Sequence, residues 1–335
     1  MDFKEVIKQP EYDFLRTDKH LKDRIILLGL GGSYAYGTNI EGSDIDIRGI
    51  ALNSKRELLT NENFEQFVNE ETDTTIYSFN KMISLLCNCN PNTIEILGLD
   101  DYIYLNDIGQ LLLDNKEMFL SKKAGAAFGG YATAQLRRLD NKSARTLKDE
   151  EHETHIMNSI KSAMYSFPEK YFQYPEDAIK LYVDKAVNPE MESEIFMDIN
   201  LNHYPLRDYK CMHSQMHDIV KEYAKIGKRN SHAISRDKLG KHMMHLIRLY
   251  LMCLDILNDG KIITKRVKEH DLLMEIRNGK YLNENVPTKE FMDMVDYYEA
   301  EVKKALQTTF LPDYPDYNKI NDFVEDINYK SIVEG

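Results

Sequence analysis

Residues 27–50 read LLGLGGSYAYGTNIEGSDIDIRGI, and the fold of the chain is decided by how this stretch is parsed. A dinucleotide-binding turn needs GxGxxG, and after Gly29 and Gly31 the third glycine position is Tyr34. A Walker loop needs a lysine before its Ser or Thr, and the stretch contains none. What remains is a buried strand ending near Leu30, a Gly31-Gly32-Ser33 turn opening a short helix, and a second strand over SDIDIRGIAL. Side chains alternate along a strand, so Asp44, Asp46 and Arg48 are expected on one face and Ile45 and Ile47 on the other. Paired carboxylates repel and raise one pKa, and a divalent cation relieves them by taking hard oxygen ligands from both. Magnesium, or manganese in its place, suits one or two carboxylates completed by phosphate oxygens. The glycine-serine turn offers backbone N–H groups and the Ser33 hydroxyl to such phosphates. A plain strand connection with solvated aspartates would account for the glycines, but not for a GS turn paired with D-x-D.

A GS turn followed by D-x-D resembles the DNA polymerase β nucleotidyltransferase superfamily, with Gly32 and Ser33 matching its GS and Asp44 and Asp46 its metal pair. Taken with NPNTIEIL, KHMMHLIRL and IRNGKY, the stretch is similar to the predicted nucleotidyltransferases of bacteria and phages, from Leu27 to about Tyr281. The resemblance implies an α+β fold: a small mixed β-sheet nucleotidyltransferase domain followed by a mostly helical domain. It also implies a third carboxylate on the next strand. Asp73, which opens DTTIYSF, is the choice, and Glu71, on the same alternation, the fallback. The implied enzyme is a metal-dependent nucleotidyltransferase in which Asp44, Asp46 and Asp73 hold magnesium. It moves a nucleoside monophosphate from an NTP to an acceptor hydroxyl and releases pyrophosphate.

Working outward, TTIYSF reads as a third strand, SFNKMISLLC as a helix stopped near NCNPN, TIEILGL as a short helix and DYIYLN as a strand. Beyond Leu111, AAFGGYATAQLRRL, EEHETHIMNSIKSAMYSF, YKCMHSQMHDIVKEYAKIG and DKLGKHMMHLIRLYLMCLDILNDG all carry helical apolar spacing. The expected division is a catalytic domain over residues 1–110 and a helical substrate-binding domain over 111–335. Its tyrosine- and proline-rich tail from Leu311 is expected to be irregular.

At about 100° per residue, Lys241, His245 and Arg248 share one helix face, roughly 130° from Leu246, Tyr250, Cys253 and Leu257. This basic stripe is either a solvated face or a clamp on the β and γ phosphates, and the family pattern K-x-x-x-H-x-x-R favours nucleotide binding by all three. Arg277, Asn90 and Glu95 also match family motifs. Asn90 is a helix-stopping turn or a substrate contact, and Glu95 an anchor for a basic residue. Arg48 is expected to pair with a carboxylate rather than a phosphate. The runs KRVKEH and KRN supply local positive charge for an RNA backbone.

The net charge of −12 excludes a generally basic surface for duplex nucleic acid. The longest apolar run, Ile25 to Leu30, is far below the roughly 20 residues of a membrane span, and the start carries no signal-peptide core, so a cytoplasmic location is expected. The four cysteines form no CxxC pair. Cys211, His213 and His217 lack a fourth zinc donor, and His152 and His155 sit among acids as on a solvated helix. The expected partners are an NTP donor and an acceptor, with an RNA 3′ end or tRNA preferred because a separate helical domain could hold it. Nucleotidylation of a protein or small molecule, in a toxin or defence role, and a non-catalytic nucleotide-binding regulator are the alternatives.

Overall fold

The run Ile25–Leu30 is apolar on both faces, as a central strand must be, and it forms β1 with its first four residues fully or almost fully buried. The computed structural model describes residues 2–144, 171, 174–175, 178–185, 187, 193–227, 236–283 and 286–334. Two short helices, α1 (Phe3–Val6) and α2 (Phe14–Thr17), precede β1, and α3 (Gly32–Tyr36) follows it. The chain then runs through β2 (Ile47–Ala51), α4 (Lys55–Leu59), β3 (Gln66–Asn69) and β4 (Thr74–Ser78). Helices α5 (Phe79–Leu86) and α6 (Pro91–Ile94), strand β5 (Tyr104–Leu105) and helices α7 (Asp107–Asp114) and α8 (Lys123–Ala144) come next.

The five strands form one mixed sheet in the order β3-β4-β2-β1-β5. β2 and β4 run parallel, with Ile47 opposite Thr74 and Ala51 opposite Ser78, and the other pairs are antiparallel. One face carries Leu28, Ile47, Ala51 and Ile76, packed against Val6, Tyr12 and Leu15 from the N-terminal segment. Arg48 and Thr75, paired across β2 and β4, point to the opposite face. Strand β3 does not stand out in the sequence, because EQFVNEE is an edge segment whose charged flanks mask the alternation. The second strand begins at Ile47, so Asp44 and Asp46 precede it instead of lying on it. β1 has turned into α3 at Gly31 and leaves residues 43–45 no ladder partner.

Beyond these elements lie the hairpin β6 (Ile179–Lys185) and β7 (Ser193–Ile199), and helices α9 (Leu206–Gly227), α10 (Arg236–Asp259), α11 (His270–Arg277), α12 (Lys289–Thr308) and α13 (Tyr317–Glu334). The hairpin adds strand to a region expected to be mostly helical. The tail expected to be irregular contains α13, which buries Ile320 and Ile327. Its apolar residues recur at helical spacing, but the prolines and tyrosines just before it dominate the composition.

The chain divides into two compact units: residues 1–136, 240–282 and 288–335 in the first, and 137–239 with 283–287 in the second. The sequence boundary at residue 110 falls inside the first unit, which also takes α11, α12, α13 and most of α10. The helix expected over residues 150–167, with His152 and His155, and the basic triplet 228–230 lie outside the described residues. In the second unit Cys211 is exposed on α9, and the His213 and His217 rings stack at 6.4 Å. Among the described residues, no helix is long and apolar enough to cross a membrane.

Candidate active site

Asp46 and Asp73 immediately precede the two parallel strands β2 and β4, so the register of that pair brings them together. Asp46 is mostly buried and hydrogen-bonds to the Asp73 carboxylate. Loss of hydration pushes the Asp46 carboxyl up to about 7, the hydrogen bond to Asp73 and its charge add to this, and Arg48 and Lys241 oppose it. Asp73 is held below the ordinary carboxylate range, chiefly by the hydrogen bond from Asp46.

Arg48 ties the pair to the sheet. Its Nη2 lies 3.1 Å from Asp73 Oδ1 and 3.8 Å from Asp46 Oδ1, while Nη1 donates to the Asp73 carbonyl at 2.6 Å. That carbonyl also accepts from the Ile47 amide at 3.2 Å. Asp73 sits at φ 43°, a left-handed conformation that aspartate tolerates better than most side chains. Two hydrogen bonds on its carbonyl hold it there. Arg48 thus has the carboxylate-pairing role expected of it, and Glu71 makes no described contact with the pair.

The glycine-serine turn abuts Asp46 directly. The Gly31 amide donates to the Asp46 carbonyl at 2.8 Å. Gly32 has φ 54°, and a Cβ built there would overlap Asp46 Oδ2, so only glycine brings the backbone this close to the carboxylate. Ser33 follows, largely buried, in the first turn of α3. Asp44, by contrast, is exposed in the loop. Among the described residues no three Asp, Glu, His or Cys side chains gather closely enough to hold a metal ion, so Asp44 does not join the Asp46–Asp73 pair. The pair itself fits a hard cation: two carboxylates head adjacent parallel strands beside a glycine that leaves the site open, and magnesium needs only one or two carboxylates beside phosphate oxygens.

The stripe expected on α10 splits in depth. Lys241 is exposed, and its charge favours the ionised form of both Asp46 and Asp73. His245 is half-buried. Arg248 is only 1% exposed, so it does not present a free guanidinium to solvent. Its Nη1 donates to Glu95 Oε2 at 3.0 Å, which also accepts from the Tyr36 hydroxyl at 2.7 Å. The guanidinium lies over the Tyr36 ring, 3.6 Å from its centre, and His245 Nδ1 accepts from Nη2 at 3.1 Å. Glu95 thus anchors a basic residue, as its sequence context suggested. Asn90 caps α6 through the Asn92 amide and donates to the Tyr131 hydroxyl at 3.1 Å.

Two more buried arginines secure the end of the same segment. Arg277 donates to the Thr38 carbonyl, and the Arg266 amide donates to the Tyr36 carbonyl at 3.2 Å. Arg266, read in KRVKEH as surface charge, is 2% exposed and pairs with Asp255 at 2.5 Å. Sequence reasoning missed Tyr36, Thr38, Thr264 and Arg266. The signal available was the alternation in KIITKRV, where every second residue, Ile262, Thr264 and Arg266, is buried.

Residues 6–167 match the model of the RNA repair pathway DNA polymerase beta family, a span that includes the glycine-serine turn, Asp44, Asp46 and Asp73. No curated protein and no solved structure matches the chain.

Proposed function

We propose that the protein transfers a nucleoside monophosphate from an NTP to the 3′ hydroxyl of an RNA, releasing pyrophosphate; the match of residues 6–167 to the RNA repair pathway DNA polymerase beta family supports this reading. The observation that carries this reading is the Asp46–Asp73 pair, held by β2 and β4 against a glycine where no side chain fits. The choice of an RNA acceptor rests on the description of the matching family as an RNA repair pathway.

In this reading, the Gly31–Ser33 turn seats the triphosphate through backbone N–H groups and the Ser33 hydroxyl. Lys241 neutralises phosphate charge from the exposed end of α10. Asp46 and Asp73 would hold a divalent cation, which would supply Lewis-acid chemistry to the transfer. Arg48 keeps Asp73 oriented as the nucleotide complex assembles. The acceptor hydroxyl releases its proton to solvent as its oxygen bonds to the α-phosphorus, the bond from that phosphorus to the bridging oxygen of the β-phosphate breaks, and pyrophosphate leaves in line. His245 and Arg248, expected to touch phosphate, instead support Tyr36 in this account.

The test is incubation of the full chain with each labelled NTP, magnesium and RNAs ending in a 3′ hydroxyl or a 3′ phosphate. Label should enter the hydroxyl-ended RNA with release of one pyrophosphate per addition, and Asp46→Asn should abolish it. Label transfer to protein or to a small metabolite, with none to RNA, would retain the donor chemistry and overturn the acceptor.

A further inference from the structure

Three segments far apart in the chain meet at one buried charge pair. Tyr36 comes from α3, Glu95 from the end of α6, and Arg248 from the middle of α10. All are nearly inaccessible, and none touches the Asp46–Asp73 pair by hydrogen bond or ion pair. Two helices nevertheless run from this junction to the nucleotide site. Ser33 lies three residues from Tyr36, about 4.5 Å along α3, and Lys241 lies seven residues from Arg248, about 10.5 Å along α10 and on the same helix face. The face is buried at Arg248 and exposed at Lys241.

The far ends of both arms are pinned as well. The Thr38 carbonyl is bound by Arg277, and Gly240, next to Lys241, packs so tightly on the Arg277 carbonyl that a Cβ there would overlap it. We propose that Glu95 and Arg248 are positioning residues for the nucleotide site, which clamp Tyr36 and so fix the separation between the Ser33 turn and Lys241. They set triphosphate affinity without contacting the nucleotide. The proposal rests on the donor site assigned above.

Its test is calorimetric titration of the full chain, in magnesium, with the four nucleoside 5′-(α,β-methylene)triphosphates. Tyr36→Phe keeps the ring under the guanidinium and removes only the hydroxyl bond to Glu95, and it should raise Kd severalfold. The charge-balanced Glu95→Gln/Arg248→Met pair should raise it at least about tenfold, a factor equivalent to roughly 1.4 kcal/mol. Gly240→Ala, ordinarily favourable inside a helix, should weaken binding by displacing the start of α10 from Arg277. Leu15→Ala, on the opposite sheet face, is the control: it should lower Tm while leaving Kd at the parental value. Variants that lose stability like the control but bind at parental affinity would overturn the positioning role alone. A parental protein that binds none of the four analogues would overturn the donor site, and this proposal with it.

Discussion

Asp46 meets Asp73 and Arg48 at the open ends of β2 and β4, whereas Glu95 meets Arg248 and Tyr36 between α3 and α10. Both centres pair carboxylate with guanidinium, but their charge counts differ. At Glu95 one anion faces one cation, and a hydroxyl and an aromatic face satisfy what remains. At Asp46 two carboxyls share one guanidinium, which is also committed to a backbone carbonyl, so the Asp46 carboxyl is pushed up. Lys241 offsets part of the deficit from an exposed position. A balanced buried centre suits a scaffold; a deficient, half-open one has room for a cation and a substrate.

The comparison breaks most visibly in activity. Asp46→Asn and Asp73→Asn are each expected to lower pyrophosphate release by at least about a hundredfold, the scale of losing a metal ligand or its orienting group, with little loss of Tm. The opposite pattern is expected at the balanced centre. Arg248→Met alone leaves the Glu95 carboxylate buried and unpaired, and should destabilise the fold by about 3–5 kcal/mol, measurable by urea unfolding. The double replacement of Glu95 and Arg248 should recover much of that loss.

Proton linkage separates the centres further. The folded Asp46 carboxyl titrates near about 7, above its unfolded value of 3.8, so the folded state holds this proton more tightly. Its stability contribution is full below the unfolded value and is lost as pH rises through about 7. The lowered Asp73 acts with the opposite sign, only as pH falls below the ordinary carboxylate range, so the two windows do not overlap. In chelator, the Tm of the parental protein should therefore decline between about pH 4 and about pH 7 and level off above, and Asp46→Asn should flatten that decline. The smallest effect is expected from Lys241→Ala. This exposed side chain should leave Tm unchanged and weaken triphosphate binding by a few fold, with a salt dependence shallower than the parent's.

What was legible in the chain was local. The apolar run of β1, the GS turn, and the aspartates opening β2 and β4 are patterns within a few residues, and the structure brings Asp46 and Asp73 together from them. Register was less legible: D-x-D alternation put Asp44 beside Asp46, but the ladder begins at Ile47 and leaves Asp44 exposed. Depth was not legible at all for Arg248. A helical projection gives the direction of a side chain but not the partner that covers it, and Tyr36 and Glu95 lie more than a hundred and fifty residues away in sequence. Arg266 was hidden for the same reason, inside a run of basic residues whose alternate members face inward.

The central claim is that the Asp46–Asp73 pair activates an NTP for transfer, and pyrophosphate release by the parental chain and by Asp46→Asn tests it most directly. With magnesium, NTP and a 3′-hydroxyl RNA, the account predicts release by the parent and none above background by a folded Asp46→Asn. Equal release by both proteins would contradict it.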